Sequence, residues 1–409
     1  MAPVSVLQSP VEAAGYRRGE AGYRRITLAL FAAGMTTFVA MYCAQAVLPS
    51  LAGDFGISPA ASALTVSATT GLLALAIIPA SALSERFGRT RVMTLSAVAS
   101  AALGLVLPWS PNLTVLVALR ALQGIALAGV PATAMAYLAE EVHRDHLGAA
   151  MGRYIAGTTI GGLAGRLVAS FTLDVSTWRW AMEAAAVVAL GFTLMFVRLA
   201  PASRYFEAQH VGVRSTSAAV REHLRNPALL GLFATAFLLM GGFVAVYNLL
   251  GFRLLRPPFG LPESIVGLVF LMYLSGTVSS AVAGRLADRF GRARTLVTAE
   301  LVTGVGLVLT LPSYLPSVLV GVLLFTAGFF AAHATASGWV GLLAKRHRAE
   351  ASALYLFAYY VGSSVLGACA GVAYSAGGWG GTVLYVGALL LGATVIAMLL
   401  LARKSWWLP

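Results

Sequence analysis

Apolar runs of about 20 residues recur twelve times along this chain, and they constrain its fold more than any other feature. A helix rises about 1.5 Å per residue, so each run can cross a hydrocarbon layer of roughly 30 Å. Backbone N–H and C=O groups in hydrocarbon must find partners within the protein, which leaves helices or a closed barrel. The two-residue alternation of barrel strands is absent, so helices are expected. The spans fall at residues 26–49, 60–83, 91–109, 112–138, 147–172, 178–198, 227–251, 264–286, 295–312, 317–343, 350–375 and 382–402. The expected fold class is an all-α membrane protein.

Composition agrees with that reading. Only 11% of the 409 residues are charged and 59% are hydrophobic, whereas a soluble domain carries about 25% charge. The net charge of +13 would suit a nucleic-acid binder, but the basic residues sit in short clusters between apolar runs. No basic patch interleaved with polar surface exists, and no nucleic-acid partner is expected. All the basic residues except Lys345 and Lys404 are Arg. With the abundance of Ala and Gly, this suggests a GC-rich bacterial genome. Cys43 and Cys369 are far apart in apolar runs and read as packing residues. The first apolar run is longer than a signal-peptide core and lacks a clear cleavage site, so it reads as a retained first helix.

Basic residues orient the spans. With the N-terminus in the cytoplasm, 23 of the 28 Lys and Arg fall in cytoplasmic segments. Arg179, Arg253 and Arg256 lie at the outer ends, and Arg120 and Arg166 lie within spans. Both termini are therefore expected in the cytoplasm. The chain divides into a tail (1–25), a six-helix bundle (26–198), an Arg- and Ser-rich linker (199–226), a second six-helix bundle (227–402) and a short tail (403–409). Trp406 and Trp407 read as an interfacial anchor.

Two loops repeat. SALSERFGRTRVM from Ser81 and GRLADRFGRARTL from Gly284 share six of 13 positions at an offset of 203 residues. Parallel six-helix repeats are an established transporter plan. The second loop keeps Gly284, Asp288, Arg289, Gly291 and Arg292 of the pattern Gly-x-x-x-Asp-Arg-x-Gly-Arg-Arg. The first keeps Arg86, Gly88 and Arg89, with Ser81 and Glu85 in place of Gly and Asp. In this motif, in its twelve spans and in its long middle loop, the chain resembles the major facilitator superfamily. The resemblance implies two pseudo-symmetric six-helix bundles around a central site. It also implies that the first loop latches the outward-facing state, with Glu85, Arg86 and Arg89 pairing with the fourth helix's end at Glu140 and Glu141. Plain positive-inside topology is the other reading of these charges.

Further features follow the same pattern. The fourth span carries Arg120, Gln123 and Gly124 as R-x-x-Q-G. In the family this Arg is tied to proton coupling or to holding the core open; hydrogen bonds to backbone carbonyls are the structural alternative. The fifth span reads GTTIGGLAGR from Gly157. It keeps Gly157, Gly161 and Gly165 of a proton-antiporter motif but has Gly162 where that motif has Pro and Arg166 where it ends in Gly. With the STWRW loop, this stretch resembles the acriflavine-sensitivity branch of bacterial efflux transporters. The glycines make a smooth face for close helix packing.

Titratable groups inside spans are few and costly. His333 falls near mid-membrane and reads either as a carrier of the coupled proton or as a neutral His bonded to a neighbouring helix. Glu183 lies at about the depth of Arg166 and is expected to pair with it. Glu300 is expected to reach nearby arginines. The first helix has no acid. Tyr42, Gln45, Tyr247, Asn248, Tyr359 and Tyr360 are polar groups for a central cavity, the first and seventh helices lining that cavity by the resemblance. No GxxxxGK[ST], HExxH or GxSxG occurs, so neither ATP hydrolysis nor enzyme activity is expected. No cofactor and no metal are expected.

The leading expectation is a secondary transporter of the bacterial inner membrane. It would exchange protons for small lipophilic or amphipathic molecules, with Arg120, His333, Arg166 and Glu183 as coupling residues, Arg166 either selecting an anionic group or bracing the fifth and sixth helices. An importer or exchanger of a sugar or small metabolite in the same fold is the alternative. A non-transporting scaffold or receptor would need large extra loops or domains. Small-molecule substrate, protons and lipid are the expected partners, and a monomer the expected state.

Overall fold

The computed structural model describes residues 15–206, 220–344 and 346–402. Trp406, Trp407, Arg214, Lys345, Arg403 and Lys404 lie outside the described residues, as does the middle of the linker. The bundle is built from α1 (Ala21–Phe55), α2 (Pro59–Phe87), α3 (Arg89–Val106), α4 (Leu113–Leu127), α5 (Gly129–Glu141), α6 (Arg144–Leu173) and α7 (Trp178–Leu199) in the first half. The second half holds α8 (Pro227–Leu254), α9 (Glu263–Leu268), α10 (Tyr273–Phe290), α11 (Arg292–Leu309), α12 (Leu315–Leu343) and α13 (Arg348–Ala402).

Local chemistry sets the helix ends. Ser58 caps α2 through the N–H of Ala61 at 3.2 Å, with Pro59 at the first helical position. Asn226 caps α8 in the same way, through Ala228 and Leu229, ahead of Pro227. Nine helical segments among the described residues are long and apolar enough to cross a membrane. One of them, within α13, is two spans, because Gly377 and Gly378 (φ 57°) break it. The pairs α4–α5 and α9–α10 each form one crossing. The helices α6 and α11 complete twelve crossings. The first is diluted by Gly, Thr and Arg, and the second carries Arg292, Arg294 and Glu300.

The outer surface is apolar, as a lipid-facing surface must be. Leu95, Val278, Val372, Leu384 and Leu391 are each at least 65% exposed. The interior holds hydroxyls that bond back to their own helix. Thr27, Thr37 and Thr303 each donate to the carbonyl four residues earlier, at 2.8 Å.

At the centre of the first half, α1 is buried along nearly its whole length. Gly157, Gly161 and Gly165 of α6 lie against the backbone of Phe31, Met35 and Val39. A Cβ at Gly161 would sit 2.8 Å from both the Cα and the O of Met35, and one at Gly165 would sit 2.7 Å from the O of Val39. The two repeated loops share one backbone. Gly88 (φ 96°, ψ 145°) and Gly291 (φ 88°, ψ 147°) both lie where side-chain-bearing residues rarely go, and they are 203 positions apart. The sequence repeat is thus a structural one.

The halves meet asymmetrically. Both described chain ends and the repeated loops lie at one end of the bundle, the basic end. The hydrogen bonds that join the halves among the described residues all lie in the other, far half of the membrane. Ser50 donates to Glu263 at 3.2 Å, the Ser264 N–H to Asp174 at 3.1 Å, Ser364 to the Ser67 carbonyl at 2.7 Å and Gln45 to Asn248 at 2.7 Å. Arg166 donates to the Tyr273 hydroxyl at 3.1 Å. The packing of α6 against the second half falls on Glu263–Met272. Toward the basic end, Arg153, Ile155 and Ile160 of α6 are exposed, and α10 buries only Gly276, Ala283 and Ala287. The bundle is therefore closed at the far end and splayed between α6 and α10 at the basic end.

The glycine stripe yields a test. Gly161→Val should force α6 off α1 and cost about 1–3 kcal/mol or more, read as a lower thermal midpoint of the detergent-solubilised protein. An unchanged midpoint would show that α1 and α6 do not pack through this stripe.

Candidate functional site

Arg166 and Gln45 form the centre of the seam between the halves. Arg166 is 1% exposed. Its Nε and Nη2 both donate to Gln45 Oε1, at 2.8 and 2.5 Å, and its Nη1 donates to the Gly162 carbonyl at 2.8 Å. Three rings wall the guanidinium: Tyr42, Tyr273 and Phe270, with centroids 4.3, 4.5 and 5.0 Å from Cζ. Cation–π contact of this kind is worth about 2 kcal/mol or more when desolvated.

Gln45 continues the network. Its Nε2 donates to Asn248 Oδ1, which joins α1 to α8. The two residues are 203 positions apart, the offset of the repeat. The same place in each half thus contributes one amide, and the two amides meet across the seam. Asn248 is buried, and its Nδ2 has no partner.

An aromatic wall leads away from Arg166 along the second half. Tyr273 contacts Phe330, with centroids 5.8 Å apart, and Phe330 contacts Phe329 at 5.3 Å. Phe329 stacks on His333 at 6.1 Å, and His333 lies 4.7 Å from Tyr359, which meets Tyr360 at 5.3 Å. The sequence places Tyr42, Gln45, Tyr247, Asn248 and Tyr360 in a central cavity, and the structure brings all five to this seam. Within it, Tyr247 is committed to Thr326, hydroxyl to hydroxyl at 2.6 Å. Sequence reasoning missed Phe270, Tyr273, Phe329 and Phe330. Their signal was the aromatic clustering in VFLMYL and LLFTAGFFAAH, which reads as ordinary core without the fold.

His333 is half-buried, and its Nδ1 lies 3.0 Å from the Tyr355 hydroxyl on α13. Arg120 is fully buried, and its guanidinium bonds mainly to backbone carbonyls. Nε donates to Thr65 O at 3.0 Å, Nη1 to Ala40 O at 2.8 Å and to Gln123 Oε1 at 2.6 Å, and Nη2 to Met41 O at 2.8 Å. It thereby pins α1 and α2 to α4. Gly124, one turn on, admits the Thr69 backbone where a Cβ would collide.

Three expectations are corrected. Arg166 does not pair with Glu183; its guanidinium runs along α1 toward the second half, away from α7, and Glu183 Oε2 is buried without a partner. Arg179, one turn before Glu183, bonds instead to the Pro108 and Ser110 carbonyls at 2.5 and 3.0 Å. Glu300 reaches no arginine; its buried carboxyl faces Thr394 instead. In the first repeated loop only Arg89 reaches the fourth span, through Glu140 at 2.9 and 3.0 Å, while Glu85 pairs with Arg89 itself at 2.7 Å. Arg86 lies over Phe87, and Glu141 accepts the Arg204 and Tyr205 N–H groups of the linker. In the second loop Asp288 and Arg292 are 3.6 Å apart around Gly291, and Arg289 lies over Phe290.

These features meet in one family. The family model of the Major Facilitator Superfamily matches residues 30–256 and 254–405, and the chain belongs to that superfamily of transporters. Among its relatives is the inner membrane transport protein YnfM of Escherichia coli (strain K12), 41% identical over 95% of this chain and 92% of that one. The uncharacterized MFS-type transporter YybF of Bacillus subtilis (strain 168) is 38% identical over 92% and 93%. Among solved structures, a bacterial homologue of the human lysosomal transporter Spinster, inward-facing and occupied, superposes with a TM-score of 0.74 at 16% identity. It covers 94% of this chain and 98% of that one. The xylose transporter XylE from E. coli, inward open, gives a TM-score of 0.69 at 17% identity over 92% and 95%. At these identities the structural likeness establishes the fold alone.

Arg120 can be tested as a brace. Arg120→Ala removes one donor from each of three buried carbonyls that keep their helical N–H bonds, leaves Gln123 Oε1 without its donor and opens a buried cavity. The loss expected is about 2–5 kcal/mol, from that cavity and the one orphaned oxygen, seen as a drop in folded yield and thermal midpoint. A variant of wild-type stability that fails only in transport would return Arg120 to a coupling role.

Proposed function

We propose that this chain exports small, partly apolar molecules across the bacterial inner membrane in exchange for protons, its halves rocking about the central seam. The observation that carries this reading is the aromatic wall at mid-membrane, which extends from Arg166 along α12 and α13 toward the basic end, where α6 and α10 stand apart. The positive-inside bias assigns the basic end to the cytoplasm, so cargo would enter the splayed side from within the cell. The printed name of the E. coli relative, an inner membrane transport protein, supports the location. The resemblance of GGLAGR and STWRW to the acriflavine-sensitivity branch supports export.

The wall offers flat apolar faces and few hydrogen-bonding groups. A sugar, which needs many, would be poorly served by it, and this favours amphipathic cargo over a polyol. His333 is our choice for the coupled proton. It is the histidine in this wall, and a neighbouring hydroxyl, Tyr355, is in place to exchange a hydrogen bond as the ring changes protonation. Arg120, enclosed by carbonyls, holds the first half rigid while that happens.

Everted membrane vesicles containing the protein test the proposal. An inside-acid gradient should drive uptake of amphipathic aromatic probes, and an uncoupler should stop it. Uptake of no cationic, neutral or anionic probe would overturn the reading. His333→Ala should lose gradient-driven accumulation by tenfold or more, about the effect of one lost proton relay. Exchange of internal for external probe should survive. Accumulation at the wild-type rate would remove His333 from the coupling path.

A further inference from the structure

We infer that the cargo carries an anionic oxygen head group, in the simplest case a carboxylate, on a flat aromatic body, and that Arg166 and Asn248 receive that head group. The inference rests on the transport reading above and narrows it to a substrate class.

The argument starts from charge. Arg166 is buried at the seam with no carboxylate within ion-pair distance among the described residues. Its partners are the Gln45 amide oxygen, the Gly162 carbonyl and the Tyr273 hydroxyl, all neutral. A guanidinium in so apolar a place is bonded but not neutralised. Arg120 also lacks an acid, but it is enclosed within one half and its donors are spent on oxygens of α1, α2 and α4. Arg166 differs because it spans the junction that must open and close.

A second donor stands beside it. Asn248 is 1% exposed, and its Oδ1 is taken by Gln45 while its Nδ2 has nothing to bond. Arg166 and Asn248 both bond the Gln45 side-chain amide, from opposite halves of the protein. One uncompensated cation and one orphaned N–H thus flank a single group. Both are answered by an acceptor that carries negative charge. A void of about 10 Å³ next to Gln45, the group they share, is lined also by Ser170, Tyr247 and Phe270 and has room for about one water. In this closed arrangement the head group enters only as the rings part.

The rest of the seam selects the body. Phe270 and Tyr273 stand over the guanidinium, and the ring wall continues through Phe330 and Phe329. Planar aromatic groups stack there at little cost. A cationic head group meets Arg166 with no acid to offset it. The nearest seam carboxylates, Glu263 and Asp174, lie outward at the far end, held by Ser50 and by the Ser264 N–H.

The test is binding to the full chain in lipid nanodiscs, by isothermal titration with three probes sharing one body: 2-naphthoate, its methyl ester and the corresponding naphthylmethylammonium ion. Wild type should bind the carboxylate at least about tenfold more tightly than the ester, as expected for one charge-assisted hydrogen bond. Arg166→Gln should abolish that preference and Asn248→Ala should reduce it, the preference being the ratio of carboxylate to ester affinity within each variant. Thermal midpoints of the variants identify any that fail to fold, and the carboxylate–ester comparison in wild type needs no variant. Equal binding of ester and carboxylate, tighter binding of the ammonium ion, or no carboxylate binding at millimolar concentration would each overturn the inference. Gradient-driven movement of ester or ammonium without carboxylate preference would overturn it while leaving the transport reading intact. Arg166-dependent carboxylate binding without movement would sustain the head-group assignment and overturn the transport reading.

Discussion

Arginine bonded to neutral oxygen is the interaction on which this structure depends. The chain holds 28 basic residues and only 15 acids, so not every arginine can find a carboxylate. In hydrocarbon an unbonded guanidinium is prohibitive. The chain meets this with backbone carbonyls. Arg120 takes three, Arg179 takes two, and Arg253 takes those of Thr310, Leu311 and Pro312. Each such arginine ties together helices or loops that sequence alone would leave independent. Carbonyls satisfy donors without cancelling charge, so the interior remains positive where Arg166 stands.

Close packing makes those bonds possible. Carbonyls on α1 are within reach of Arg120 because α2 and α4 approach closely, with Gly124 set against Thr69. The glycine stripe of α6 brings Arg166 down onto Gln45. Small residues therefore do two things here: they raise dispersion contact between helices that gain little from the hydrophobic effect in lipid, and they set the depth at which long side chains meet.

How far the sequence could be read depended on which coordinate a feature needs. Span positions require only position along the chain, and the twelve crossings follow from apolar runs. The repeat requires an offset, and one offset of 203 residues relates Gly88 to Gly291 and also Gln45 to Asn248, although the second pair was not recognised as equivalent. Arg166 and Glu183 show where this stops. They match in depth, but the direction each faces is a rotation about a helix axis, fixed by how Gly161 and Gly165 seat on α1. Glu300 fails for the same reason, since nearness to arginines along the chain does not aim its carboxyl at them. The aromatic wall needs three helices side by side, and no single span reveals it.

The amide pair at the seam has a mechanical consequence. In a rotation, displacement grows with distance from the pivot. Gln45 and Asn248 occupy matching places in the two halves, and Gln45 lies five residues of α1, about 7.5 Å, nearer mid-membrane than Ser50. Ser50–Glu263 and Asp174–Ser264 stand further out, on a longer lever arm. A tilt that opens the far end separates those outer links more than the inner amides. Opening would then proceed as an unzipping from the rim inward, with the outer pairs as the catch and the two amides parting last.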